Sequence, residues 1–220
     1  RSVMFWIMVA LMIHTYFRVF SRNIPKRYEE SAAANIEGYE YALLNSISIT
    51  CSITTAQNYG AKNKERVKMS LIYCIIYELA VVTLTDLIIF LLRDPLLKLF
   101  ITQNETTTTD AMHYGYLYLL IIGIPYAICG IAECFSGYLR GLKYSLTPTL
   151  VSLFSIVGFR LIFIFCFFNL LPQFHNFESL MALYPLSWTL CCLIYIPITI
   201  AYTKRTFTKI PSKIKNKKMA

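Results

Sequence analysis

Six long apolar runs separated by short polar stretches set the pattern of the chain. They lie at about 2–20, 32–56, 67–92, 112–138, 146–171 and 180–203. A helix needs about 20 apolar residues to cross a bilayer. Five of the runs meet that length; 2–20 is marginal and is interrupted by His14 and Arg18. The pattern predicts an all-α integral membrane bundle of six transmembrane helices over 1–203, followed by a basic tail over 204–220. Run 32–56 is the most polar. Its Ala32, Ala33, Ala34, Ser46, Ser48, Thr50, Ser52 and Thr54 are small. Small residues let membrane helices approach closely, so this run is expected inside the bundle.

Between the fourth and fifth runs lies Tyr138-Leu-Arg-Gly-Leu-Lys-Tyr-Ser-Leu-Thr-Pro148. Gly141 is expected to take the backbone out of one helix, and Pro148 suits the first turn of the next. Arg140 and Lys143 make the hinge basic.

Composition supports the bilayer as solvent. The 220 residues are 56% hydrophobic and 15% charged, where soluble domains carry about 25% charged residues. Mean hydropathy is +0.53. The net charge of +9 comes from Lys and Arg at the ends of apolar runs. That placement suits anionic lipid headgroups and argues against nucleic acid as a partner. The seven cysteines lie inside apolar runs with no C-x-x-C spacing. They read as small buried side chains, with no metal centre or disulfide framework.

Basic residues also set orientation. The 58–68 loop, the 139–145 loop and the tail fall on one side and hold 13 of the 21 Lys and Arg residues. Both ends of the segment are therefore expected in the cytoplasm of a plasma-membrane protein. Residues 18–30 run against this rule, with Arg18, Arg22, Lys26 and Arg27 on the outer side.

Asn35-Ile-Glu-Gly-Tyr39, Gln57-Asn-Tyr-Gly-Ala61 followed by Arg66, Leu139-Arg-Gly-Leu-Lys-Tyr-Ser145 with Pro148, and Tyr184-Pro-Leu-Ser-Trp188 follow one another in this order. Together they resemble the C-terminal half of multidrug and toxic compound extrusion (MATE) transporters, most closely the bacterial Firmicutes-type branch. The resemblance implies one six-helix lobe of a two-lobed, twelve-helix antiporter. Its partner would be an N-terminal six-helix lobe, with the lipid bilayer and a small organic, cationic substrate as the other partners. It implies Na⁺ or H⁺ as the coupling cation and no other cofactor. The loop residues Gln57, Gly60, Arg66, Arg140, Gly141 and Pro148 carry the resemblance as structural motifs.

Ionisable residues within membrane helices are costly and mark candidate sites. Glu133 lies seven residues before Arg140, about 10 Å along the helix. The resemblance implies an acidic coupling residue on this helix; in some members it sits one turn earlier, where Cys129 stands here. The other reading of Glu133 is a buried carboxyl paired with a neighbouring helix. Arg160 and Glu78 lie at similar depths, about 20 and 16 Å into their helices. They are expected to pair if those helices touch.

Glu37 and Glu40 share a helix face near the outer end. Glu37 can bind a cation or guide a cationic substrate; Glu40 and Asp86 read as solvated helix ends. Tyr39 and Tyr41 can stack on a cationic drug or belong to the interfacial aromatic belt. Pro125, Pro185 and Pro197 can bend their helices. No nucleophile–base pair or phosphate loop is present, so an enzyme is not expected. The alternative within transport is a lipid or lipid-linked oligosaccharide flippase.

Overall fold

In the computed structural model, residues 27–100, 112, 115–168, 179 and 181–209 are described. Among them the chain is helical throughout. Helix α1 is Arg27–Gly60, α2 is Lys64–Leu91 and α3 is Arg93–Phe100. Helices α4 (Gly115–Gly123) and α5 (Tyr126–Gly141) form a pair bent by 48°. Helix α6 is Leu146–Cys166 and α7 is Leu183–Lys209. Helices α2, α6 and α7 are each long and apolar enough to cross a membrane, and the α4–α5 pair is a fourth such span if taken together. Helix α1, with 34 residues, has the length, but its Ser, Thr and Glu residues keep it out of that group. Run 2–20 lies outside the described residues, as does the tail beyond Lys209.

Helix α5 is the centre. It packs on α1, α2 and α7. Small residues make the tightest seam, between α5 and α1. A side chain at Gly137 would collide with the backbone carbonyl of Ser48. A Cβ at Gly141 would stand 2.6 Å from the Ser52 carbonyl oxygen. The seam packs one face of α1 on α5, but α1 is not enclosed as expected: Tyr39, Leu43, Ile49 and Ile53 are exposed. Helix α2 instead turns Ile72, Tyr73, Ile76, Tyr77 and Leu84 outward, an apolar face suited to lipid.

Several expectations are corrected. Gly141 does not leave the helix by a left-handed turn; no glycine has positive φ. Lys143 (φ 71°) and Lys62 (φ 54°) make the left-handed turns of the two basic loops. Gly141 serves close helix contact instead, since Thr55 and Ser52 leave no room for a Cβ. The 93–100 stretch is a helix, with Pro95 in its first turn and Leu97 buried against Gly115. The last helix runs to Lys209, beyond the expected end at 203.

Pro125 lies at the break between α4 and α5 and supplies no N–H. A π-helical turn, Leu119–Gly123, precedes it. Two further π-helical segments, Leu153–Gly158 and Phe163–Phe168, flank Arg160 in α6. Wide turns of this kind often occur at functional sites.

The basic loops and the end of α7 gather at one end of the bundle. Lys143 Nζ lies 5.9 Å from the Tyr59 ring centroid, and Lys68 Nζ lies 5.5 Å from that of Phe207. The Tyr144 and Tyr202 rings stand 4.2 Å apart. Glu37, Glu40 and Asp86 lie at the opposite end.

Candidate functional site

Ser48 and Glu133 link α1 to α5. The Ser48 hydroxyl donates to the Glu133 backbone carbonyl at 2.7 Å and stands 3.4 Å from Glu133 Oε2. Arg140 Nη2 donates to Ser48 Oγ at 2.9 Å and lies 4.0 Å from Glu133 Oε2. Two helical turns separate Arg140 from Glu133, yet both side chains lean toward Ser48. Tyr41 stands close enough for its hydroxyl to interact with the same carboxylate. The Glu133 side chain keeps 23% of its exposure and Arg140 41%, and Tyr41 is 44% exposed. The carboxylate therefore remains reachable. Its contacts are one hydroxyl, one phenol and one loosely placed guanidinium. Such a group can exchange a small cation without breaking the helix seam beneath it.

Glu37 belongs to a second cluster. Tyr118 Oη donates to Glu37 Oε2, and Tyr126 Oη reaches the Glu37 backbone carbonyl at 3.5 Å. The positive charge of Arg160 acts on Glu37. The phenols thus tie α1 to the bent α4–α5 pair.

Glu78 is fully buried. Its Oε2 lies 4.0 Å from Cys134 Sγ, and a Cβ at Gly130 would stand 2.5 Å from Oε1. The absence of a side chain at Gly130 makes room for this carboxyl beside α5. Glu78 and Arg160 do not pair. Arg160 Nη2 and Nε donate to Ser187 Oγ at 3.0 and 3.2 Å, and its guanidinium lies 4.1 Å from the Tyr184 ring centroid. Trp188 packs edge-on against Tyr126, with centroids 5.4 Å apart. The Tyr184-Pro-Leu-Ser-Trp188 segment is thus the clamp that holds Arg160. Residue counting could not give the direction of Arg160 around the helix axis. The π-helical segments on either side re-aim it.

The loop motifs make local contacts. Asn63 caps α2 by accepting the Arg66 backbone N–H at 3.1 Å. Asn58 Nδ2 donates to Ser70 Oγ at 2.9 Å, and the Gln57 carbonyl accepts the Ala61 N–H at 2.9 Å. The Pro148 carbonyl accepts Tyr195 Oη at 3.1 Å, fixing α6 to α7. The Arg66 side chain is exposed. Gly60 ends α1 in open space.

Three residues at these sites escaped sequence reasoning in that role. Ser48 was expected only as a small packing residue, Tyr118 only as one of the tyrosines of an interfacial aromatic belt, and Ser187 carried no assignment of its own. The Ser187 signal lay in the Tyr184–Trp188 motif; Ser48 had none beyond its small size. Glu40 and Asp86 were expected to be solvated. Instead Glu40 is 4% exposed and Asp86 is half-buried facing it.

The MatE family model matches residues 31–166, which include most of α1 and all of α2, the bent pair and α6. The chain belongs to the MatE family. It is similar to the "Probable multidrug resistance protein YoeA" of Bacillus subtilis (strain 168), at 28% identity over 113 residues. That match covers 51% of this chain and 23% of the relative. The span matched by the family model contains both the Ser48–Glu133–Arg140 cluster and the Glu37 cluster. A multi-pass, helical membrane protein follows from the family and the apolar helices together.

Proposed function

We propose that this MatE chain is the C-terminal six-helix lobe of a cation-coupled exporter of organic, cationic compounds. It works beside an N-terminal lobe, with its basic end in the cytoplasm. The observation that carries the reading is the accessible Glu133 carboxylate, held by Ser48, Arg140 and Tyr41 across the α1–α5 seam. The relative named as a multidrug resistance protein supports the export of drugs. In this mechanism Na⁺ or H⁺ binds Glu133 and cancels its charge. Arg140 then loses its partner on α5 and shifts toward Ser48. A buried charge that is alternately filled and emptied gives the two lobe arrangements different free energies, and the ion gradient selects between them. Substrate leaves outward as the ion enters.

The test uses the full-length protein in proteoliposomes loaded with a fluorescent cationic dye, under an imposed Na⁺ or H⁺ gradient. Glu133→Gln is expected to remove gradient-driven efflux, by at least about tenfold, with a normal elution profile in detergent. Efflux unchanged in the variant would move coupling to Glu37, Glu78 or the other lobe. No dye movement by wild type under either gradient would favour a lipid or lipid-linked oligosaccharide flippase. Arg140, exposed beside Glu133, would then meet an anionic headgroup.

A further inference from the structure

Two cysteines face each other across the α1–α2 hairpin. Cys51 stands before Gly60 on α1 and Cys74 after Lys64 on α2, each about 13–15 Å from the turn that joins these helices. Both pack in one cluster with Val67, Tyr138 and Leu142, and their thiols are close enough to interact. Both thiols are free. Cys51 is fully buried, and its S–H donates toward the Cys134 backbone carbonyl of α5 at 3.6 Å. Cys74 is half-buried. Cys134 stands nearby but turns its Sγ to Glu78 Oε2, 4.0 Å away. The facing pair is therefore Cys51 and Cys74.

Their spacing in the sequence marks them only as small apolar side chains; the fold makes them a dithiol. Among the described residues no group of three or more His, Cys, Asp or Glu is arranged to hold a metal ion. The chemistry left to two facing thiols is oxidation, and their unequal burial gives it an order. The half-buried Cys74 can meet a small oxidant, and the buried Cys51 can resolve the product. With hydrogen peroxide, the Cys74 sulfur attacks one oxygen, the O–O bond breaks and water leaves, giving a sulfenic acid. The Cys51 sulfur then attacks that sulfur. The S–S bond forms, the S–O bond breaks, and a second water carries away the Cys51 proton. Two thiols and one peroxide thus give a disulfide and two waters; the thiols lose two electrons and the peroxide gains them.

The bridge changes what holds α1. Cys51 without its S–H no longer donates to the Cys134 carbonyl, so α1 loses that contact with α5 and is tied to α2. Ser48, three residues earlier on the same face of α1, donates to the Glu133 carbonyl. We propose that Cys51 and Cys74 are a peroxide-sensitive dithiol, whose disulfide locks α1 to α2 beside the Ser48–Glu133 link and brakes the exporter. Reducing thiols of the cytoplasm keep such pairs open, so the dithiol is the working form and the bridge a reversible brake. The brake rests on the exporter reading; the bridge does not.

The full-length protein in detergent is treated with hydrogen peroxide, alkylated and digested without reductant. Mass spectrometry is expected to find peptides joined through Cys51 and Cys74, separated again by dithiothreitol. The cross-link is also expected to raise the thermal melt, reversibly on reduction. Cys51→Ala and Cys74→Ala should each lose the joined peptides and the melt shift; if Cys51→Ala, at a filled position, does not fold, Cys74→Ala decides. Cys166→Ala, at an exposed cysteine of α6, should respond as wild type. No joined peptides in treated wild type, a bridge from Cys51 to Cys134 in their place, or a melt shift that survives in Cys74→Ala would overturn the dithiol. In proteoliposomes the same treatment is expected to abolish gradient-driven efflux by wild type, with recovery on dithiothreitol, and to leave Cys74→Ala active. Full efflux by bridged wild type would overturn the brake. Wild type without gradient-driven efflux before treatment removes the exporter reading and the brake with it, while joined peptides still uphold the dithiol.

Discussion

The two ends of the bundle are built on opposite principles. At the basic end, α1 and α5 meet through Gly137, Gly141, Ser48 and Ser52 with no room for another atom. The loops there are closed by Asn63, Asn58 and the Pro148 carbonyl. At the acidic end, α4 breaks from α5 at Pro125, a cavity opens, and Glu40 is left without a donor. One end is closed mainly by local hydrogen bonds and close backbone contact, with the buried Thr55 hydroxyl left without a partner among the described residues. The other leaves Glu40 Oε1 buried without a partner beside apolar walls. The difference teaches where movement is cheap: the seam acts as a fulcrum, and the acidic end has space to change.

The contrast can be broken most severely at the seam. Gly137→Leu forces a side chain into the Ser48 carbonyl, and overpacking a filled contact costs about 1–3 kcal/mol or more. The expected outcome is loss of the monodisperse species in fluorescence-detected size exclusion. Gly38, near the acidic end, has nothing within 4 Å of its Cβ position, and Gly38→Leu should elute normally. Equal behaviour of the two variants would remove the distinction between a closed and an open end.

A smaller effect is expected at Arg160, which joins α6 to α7 between the two ends. Arg160→Lys keeps the charge but loses the planar stacking on Tyr184 and the two-nitrogen contact with Ser187. Membrane side-chain hydrogen bonds average about 0.6 kcal/mol, and a cation–π contact adds about 0.5–2 kcal/mol. A thermal melt in detergent should fall by several degrees. An unchanged melt would mean that the Tyr184–Trp188 clamp does not hold the bundle.

The smallest effect belongs to the left-handed turn at Lys143. A non-glycine residue there costs about 1–2 kcal/mol. Lys143→Gly removes that strain but gives the unfolded chain more freedom, so the melt should change little or rise slightly. Lys143→Val, β-branched, should lower it. A Val variant as stable as Lys would show that the loop relaxes to another conformation and that the basic end is less rigid than its contacts imply.

The legible parts of the fold were the long apolar periods. Runs 67–92, 112–138, 146–171 and 180–203 correspond to α2, the bent pair, α6 and α7, because a hydrocarbon solvent demands continuous apolar helices. The small residues of 32–56 announced close helix contact, which α1 makes on one face only; Tyr39, Leu43, Ile49 and Ile53 are exposed. Glu133 was legible as a candidate from the cost of a carboxyl within an apolar run. Its partners were not, since Ser48 is 85 residues away and nothing local marks it. The 93–100 helix was missed because its polar ends read as a loop.

By itself, the sequence determined the class of molecule: a basic-ended helical membrane protein with a few expensive charges inside it. Hydrophobicity and charge act locally and additively along the chain, so they can be read one residue at a time. Tertiary structure decided which charges meet. Arg160 turned to Ser187 and Tyr184 instead of Glu78, and Glu40 turned inward to Asp86. Those choices depend on the direction each side chain takes around its helix. That direction is set by π-helical turns, by the Pro125 break and by how closely Gly137 and Gly141 let α1 approach α5.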